Sequence, residues 1–230
     1  MLISDYDGTL NVNDDLLFKI DLKLNINAIK EFRCKGNIFV ISTARGYNSI
    51  KEEVVKYNIP YDYLTCNNGS VIFDNKDNLL YANTLSIDEL GYIKNTFSDK
   101  SLFYFDIYEN EQEDIKDNIV YVGFRGKTKK QLSNFKLQYR NFHTYIKNEC
   151  TKLDGANFLK NYLKIEDIYA VGDSKDELEL LQAYNGYKMI FSDPALLNKN
   201  IQTTSSVHKV IKKIKKVWYN IFTKGVKIWK

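Results

Sequence analysis

Met1-Leu2-Ile3-Ser4-Asp5-Tyr6-Asp7-Gly8-Thr9-Leu10 is an apolar run that stops on two carboxylates one residue apart, followed at once by Gly-Thr. Alternate side chains of a strand share a face, so an Asp-x-Asp pair at a strand end aims both acids roughly the same way. Neighbouring carboxylates repel unless a cation or a shared proton offsets their charge. A hard cation such as Mg²⁺, which takes oxygen ligands, suits such a pair. Gly8 and Thr9 add backbone N–H groups where an anion could sit. Carboxylates, cation and anion cradle together point to phosphoryl chemistry. The same turn also fits a solvated loop after an edge strand, so the neighbouring segments must decide. A calcium loop is excluded, because its template puts Gly sixth and an acid twelfth, whereas Gly8 is fourth and Leu16 is twelfth.

Outward from this stretch, strands and helices alternate. A polar loop over Asn11 to Asp15 precedes a helix expected near 26–35, with Ile26, Ile29 and Phe32 inward and Gly36 at its end. Asn37 to Ile41 reads as a fully apolar, buried strand. Ser42-Thr43-Ala44-Arg45-Gly46 closes it and opens a helix to about Tyr57, and a short strand near 62–65 leads to Asn67-Asn68-Gly69. This rhythm predicts an α/β fold, a Rossmann-like parallel sheet with helices on both faces.

The pattern then changes. A hairpin over 71–81, a helix near 86–97, strands near 102–108 and 119–124, a helix near 128–140 and a strand near 142–147 suggest a small α+β insert. The βα rhythm returns with a helix near 153–163, the strand Ile168 to Val171, Gly172-Asp173, a helix over 174–184 and a strand over 187–191. The predicted division is a core of 1–73 and 148–206, an insert of 74–147, and a basic tail of 207–230. Parallel pairing puts every strand's C-terminal end on one edge, where ligands of open α/β sheets bind. Three strand ends carry polar groups there: Asp5 with Asp7, Ser42 with Thr43, and Asp173.

Composition is that of a globular chain: 230 residues, 44% hydrophobic, net charge +4. Cys34, Cys66 and Cys150 form no CxxC pair and read as buried thiols of a reducing compartment. With no leader pattern and no apolar run of about 18 residues, a cytoplasmic location is expected. Residues 194–230 hold nine lysines and no acid, against −5 for residues 1–193. Val207, Val210, Ile211, Ile214, Val217, Trp218 and Ile221 recur at helical spacing among the lysines. The first turns should pack on the core. Trp218, Phe222, Ile228 and Trp229 also fit peripheral attachment to a membrane or an acidic partner; the aromatics share the apolar stripe, which argues against nucleic acid. The two histidines, His143 and His208, have no ligand-forming neighbours and read as structural.

Asp5-Tyr6-Asp7-Gly8-Thr9, Thr43 after an apolar strand, Lys152, and Gly172-Asp173 ahead of further acids resemble the four motifs of the haloacid dehalogenase-like (HAD) phosphatase superfamily, in order, over residues 1 to about 206. The insert's position between the second and third motifs resembles the C2-capped, Cof-type sugar phosphatase branch, in which Asn68-Gly69 would lead into the cap. The resemblance implies a Mg²⁺-dependent phosphoric monoester hydrolase. Asp5 would be the nucleophile forming an aspartyl-phosphate, and Asp7 the acid and later base. Thr43 would hold a phosphoryl oxygen, and Lys152 would neutralise charge. Asp5, Asp7 through its carbonyl, Asp173 and Asp176 would be the metal ligands. Gly8, Ala44, Arg45 and Asn68 would contact phosphate or substrate.

Each assignment has a competitor. Thr43 could cap the following helix. Gly does not directly follow Lys152, and Lys147 and Lys160 are alternatives. In the fourth motif the usual Gly-Asp-x-x-Asn-Asp reads Gly172-Asp173-Ser174-Lys175-Asp176-Glu177; Asp176 could reach the metal, while Glu177 could stabilise the first turn of its helix. Aromatics of the insert (Phe103, Tyr104, Phe105, Tyr108, Tyr121, Phe124) read as cap core with some facing the substrate. A roofed site favours a small ester such as a sugar phosphate. A phosphomutase or phosphotransferase of the same fold, or a catalytically silent binding protein, are the other readings, and oligomeric state is left open.

Overall fold

The computed structural model describes residues 1–11, 15–113, 115, 118–140, 143–197 and 199–214, with the side chains of 15–20 and 138–146 left aside. The expectation for the lysine-rich residues 215–230 lies outside the described residues. The chain divides into two compact units: residues 1–42, 59–62 and 159–230, and residues 43–58 and 63–158.

In the first unit β1 (Leu2–Asp5), β2 (Phe39–Ser42), β11 (Tyr169–Gly172), β12 (Asn185–Met189) and β13 (Gln202–Thr204) run in the order β13-β12-β11-β1-β2. The neighbours whose registers are given pair in parallel: Leu2 lies opposite Tyr169 and Phe39, and Asp5 opposite Ser42. Every residue of β1 and β2 is buried, as a sheet covered on both faces requires. Helix α1 (Asp15–Cys34) starts well before the expected residue 26. Leu22, Asn25, Ile29 and Phe32 are buried along it, and no Gly or Pro interrupts 15–34, so the helical period extends upstream. α5 (Leu178–Ala183), α6 (Pro194–Leu197) and a last helix over 207–214 complete the unit. That last helix buries Val207, Val210, Ile211 and Ile214 and keeps Lys209, Lys212 and Lys213 exposed.

The second unit holds α2 (Tyr47–Tyr57) and the antiparallel strands β3 (Tyr63–Cys66), β4 (Val71–Asp74) and β5 (Leu79–Ala82). It also holds a five-stranded sheet ordered β7-β6-β8-β10-β9, made of β6 (Leu102–Asp106), β7 (Glu111–Gln112), β8 (Ile119–Arg125), β9 (Phe135–Arg140) and β10 (His143–Asn148). Helix α3 (Ile87–Thr96) begins with a reciprocal capping box between Ser86 and Glu89. Leu90, Ile93 and Phe97 pack with Tyr104, Val122 and Phe124 in a core of their own, and Phe97 stacks on Phe124 at 4.9 Å. The helix expected over 128–140 is not formed: 128–134 carry no regular structure and β9 follows. Phe135, Leu137 and Tyr139 alternate, and pairing with β10 selects the two-residue period over any helical one. Helix α4 (Lys152–Leu163) runs from the second unit into the first. No helix of the described residues is long and apolar enough to cross a membrane. Cys66 and Cys150 are buried, as expected, but Cys34 is exposed.

Candidate active site

Asp5 and Asp173 stand at the C-terminal ends of the adjacent parallel strands β1 and β11. After β11 the chain turns through Ser174, whose N–H donates to Glu177 Oε2 at 2.7 Å while its hydroxyl accepts from the Asp176 N–H at 3.2 Å. This reciprocal cap folds the Glu177 side chain back over Gly172, where a β-carbon would come within 2.6 Å of Glu177 Cγ. The result is a group of three acids, Asp5, Asp173 and Glu177, whose ligand oxygens lie within 4.8 Å of one another. Asp5 and Glu177 are buried and Asp173 half-buried. Three crowded carboxylates form an all-oxygen donor set, and a divalent cation offsets the repulsion that holding them together costs. The group could hold a metal ion.

One expected ligand differs. Asp176 is exposed on the outer side of the turn and is not in the group. The reason is the cap itself: its hydrogen bonds fix which of the two consecutive acids turns inward, and Glu177 is the one. The Asp7 carboxylate, expected as acid and base while the carbonyl meets the metal, is outside the group. The loop after Asp5 folds back on itself, with the N–H groups of Leu10 and Asn11 donating to the Tyr6 carbonyl at 3.0 and 2.8 Å, and this leaves Asp7 half-buried.

The Gly8 N–H donates to the Asn11 carbonyl at 2.8 Å, so it is not available to an anion as its backbone position suggested. Gly8 instead provides clearance, since it adopts φ +78° and a β-carbon there would run into the Asp173 carboxylate. Thr9 Oγ1 donates to Asp173 Oδ1 at 2.8 Å and orients that acid.

The remaining expected residues lie in the second unit. Thr43 is buried, its N–H donates to the Thr65 carbonyl at 2.9 Å, and its hydroxyl accepts from the Arg45 N–H at 3.1 Å. It is not the helix cap: Gly46 occupies that position with no side-chain bond. Ala44 and Arg45 are half-buried. The Asn67 and Asn68 N–H groups donate to the carbonyls of Arg45 and Thr43 at 2.8 and 3.0 Å, which ties this loop to Asn67-Asn68-Gly69. These three residues take φ values of 50°, 58° and 93°, a left-handed run that Asn and Gly tolerate best. Asn68 Oδ1 and Asn67 Nδ2 are buried and find no partner within the protein.

Lys152 is buried at the first residue of α4. Thr151 caps this helix, its hydroxyl and N–H each donating to Asp154 Oδ2 at 2.8 Å. Gly155 supplies the small residue that does not directly follow Lys152: a β-carbon on it would meet Gly69 Cα at 3.0 Å. Of the alternatives, Lys147 is buried with its Nζ 3.3 Å from Asn67 Oδ1, whereas Lys160 pairs with the exposed Glu166 at 2.9 Å.

The sequence reading did not single out Asn67, nor Glu109, whose carboxylate lies against Gly46. The signal for Asn67 was the Asn-Asn-Gly triplet, and for Glu177 the Ser-x-x-Glu cap. Burial, with Glu109 as the second cause, pushes the Cys66 thiol far up, so this cysteine is inert rather than nucleophilic.

Three comparisons bear on this arrangement. An uncharacterised protein of Mycoplasma capricolum subsp. capricolum is 36% identical over 116 residues, which is 48% of this chain and 43% of that protein; the match thus spans less than half of the relative's length. A protein of Geobacillus kaustophilus superposes with a TM-score of 0.75 at 15% identity, covering 94% of this chain and 98% of that one. A HAD subclass IIB sugar phosphatase superposes at 0.66 with 12% identity, covering 94% and 98%. Both superpositions speak to fold. The family model for haloacid dehalogenase-like hydrolases matches residues 2–149, and with acids at the ends of β1 and β11 in the family's fold, this chain belongs to the haloacid dehalogenase-like hydrolases.

Proposed function

We propose that this protein is a Mg²⁺-dependent phosphatase that hydrolyses a small phosphate monoester, a sugar phosphate, through an aspartyl-phosphate on Asp5. The observation that supports it is the convergence of Asp5, Asp173 and Glu177. A carboxylate oxygen of Asp5 attacks phosphorus while the ester oxygen departs with a proton from Asp7. Water then attacks the acyl-phosphate, giving its proton back to Asp7, releasing inorganic phosphate and restoring Asp5. Asp5, Asp173 and Glu177 would hold Mg²⁺, which would supply positive charge against the phosphoryl oxygens. Thr43, Ala44, Arg45, Asn68 and Lys152 take the phosphate- and substrate-binding roles that the family resemblance gives them. The sugar phosphatase among the similar folds favours a sugar phosphate as the ester.

The altered fourth motif and the basic tail gave the silent-binding reading its weight. The grouping of Glu177 with Asp5 and Asp173 supports a retained donor set and so the catalytic reading. Release of inorganic phosphate from p-nitrophenyl phosphate and a sugar phosphate panel, with Mg²⁺ and with EDTA, tests the proposal. Wild type should release phosphate only with the cation, and Asp5→Asn should release none. Full activity of Asp5→Asn overturns the covalent route. Silence of wild type across the panel overturns the phosphatase, and transfer of phosphate to a sugar without its release would identify a mutase.

A further inference from the structure

Within the first unit, the chain turns sharply after β12. The Ser192 N–H donates to the Met189 carbonyl at 3.1 Å, closing a tight turn whose corner residues are Ile190 and Phe191. Such corners ordinarily go to Gly, Pro, Asn, Asp or Ser. Here Phe191 is 87% exposed, and Ile190 and, at the end of α6, Leu197 are exposed as well. Exposed apolar residues scattered singly are common. Three within eight positions, two of them at a turn corner, make an apolar tip that leaves the core of the unit unserved.

Lysines flank this tip. The Ile190 N–H donates to the Thr204 carbonyl at 2.8 Å, and the next residue, Ser205, accepts Lys209 Nζ at 2.7 Å, so the turn is joined to the start of the last helix. Lys209, Lys212 and Lys213 are exposed at i, i+3 and i+4 on that helix, and Lys199 is exposed shortly after Leu197. The helix's apolar side is already spent on the core through Val207, Val210, Ile211 and Ile214, so apolar contact with a partner must come from the tip and from the sequence beyond. That sequence adds five lysines together with Trp218, Phe222, Ile228 and Trp229. Asp193 is the only acid of residues 188–230, and its Oδ1 accepts the Ala195 N–H at 2.7 Å.

We propose that the Ile190-Phe191 turn and the lysine-rich C-terminal segment together attach the protein to the surface of an anionic lipid bilayer, reversibly and without spanning it. Large apolar side chains at the tip enter the interface, while the lysines meet the lipid phosphates. Each lysine brought to an anionic leaflet strengthens partitioning about fivefold. Residues 1–193 sum to −5 and residues 194–230 carry +9, so an anionic surface draws this end of the chain and repels the remainder. Ile190 and Leu197 have no flat face to stack on a nucleobase, which favours lipid over nucleic acid as the partner.

The test mixes the full chain with sucrose-loaded vesicles of phosphatidylcholine, alone or with phosphatidylglycerol, and measures co-sedimentation at about 0.1 and about 0.5 M NaCl. The chain's two tryptophans, Trp218 and Trp229, both lie in the tail, so a blue shift of tryptophan emission reports entry of that segment into the interface. Wild type should partition about tenfold or more better onto the anionic vesicles, shift to the blue there, and come off at the higher salt. Phe191→Ser, an exposed change that leaves the core alone, should lower partitioning about threefold or more. Lys209→Gln combined with Lys212→Gln should lower it about tenfold or more. Wild type that ignores both vesicles, or binds them equally, overturns the proposal. Phe191→Ser binding as tightly as wild type overturns the role of the turn, and with it the proposal as stated. Retardation of a nucleic acid fragment without vesicle binding would assign the lysines to nucleic acid instead and overturn it too. None of these readouts uses turnover, so each of those failures leaves the phosphatase reading standing.

Discussion

The backbone of Gly8 runs directly against the carboxylate of Asp173, leaving no room for a β-carbon between them. Glycine here meets two demands at once, the left-handed φ of +78° and the close approach of an acid from the neighbouring strand end. Gly8→Ala should therefore displace Asp173 as well as strain the loop. We expect a loss of about 1–3 kcal/mol in stability and a rise of about tenfold or more in the Mg²⁺ concentration needed for half-maximal turnover. Urea denaturation and a Mg²⁺ titration of phosphate release check the two parts separately.

Glu177 and Asp176 make a matched pair for substitution. Glu177→Gln removes one charge from the three-acid group while keeping the side chain's length, and should weaken Mg²⁺ activation about 10- to 100-fold. Asp176→Asn, on the exposed side of the same turn, should shift it less than about twofold, since surface changes of this kind are small. Isothermal titration with Mg²⁺ reads both. Equal effects would remove Glu177 from the ligand set.

His208 gives stability a pH dependence of definite sign. Burial first, and Lys212 second, hold its pKa below the ordinary 6.5, with Lys209 adding to this and Asp21 opposing. The unfolded chain thus takes up the proton at higher pH than the folded one. The stabilisation is fully present above about pH 6.5 and is lost as pH falls from there through the folded value. Melting temperature should decline between pH 7.5 and 5, and His208→Gln should make that decline shallower.

Lys188 closes the end of α6. Its buried ammonium donates to the carbonyls of Leu196, Leu197 and Lys199 at 2.8, 3.0 and 3.3 Å, satisfying acceptors that a helix end leaves open. Lys188→Met keeps the stem's bulk and removes every donor. We expect a loss of about 2–3 kcal/mol in chemical denaturation, with the group of Asp5, Asp173 and Glu177 untouched.

The parallel strands were legible because each is a short, wholly apolar run ending on a polar residue: Leu2 to Asp5, Phe39 to Ser42, Tyr169 to Gly172 before Asp173. Ser86 and Glu89 announced their helix through a local cap. The segment 128–140 was misread because Lys129, Lys130, Gln131 and Leu132 look helical locally. What makes Phe135 to Arg140 a strand is hydrogen bonding to β10, a partner no local window displays. The choice between Asp176 and Glu177 failed for a similar reason. Both are acids at plausible spacing, and only the fold of the turn over Gly172 decides which reaches Asp5.

The helix over 207–214 buries four aliphatic side chains, and the His208 N–H donates to Asn25 Oδ1 of α1 at 2.9 Å. Where the chain is cut therefore separates two properties that composition alone would merge. Ending it after Ile214 discards five of the nine C-terminal lysines while the clasp on α1 survives. Ending it after Ser206 strips that clasp away and uncovers the apolar floor beneath it, so a solubility defect there would report lost packing rather than lost charge.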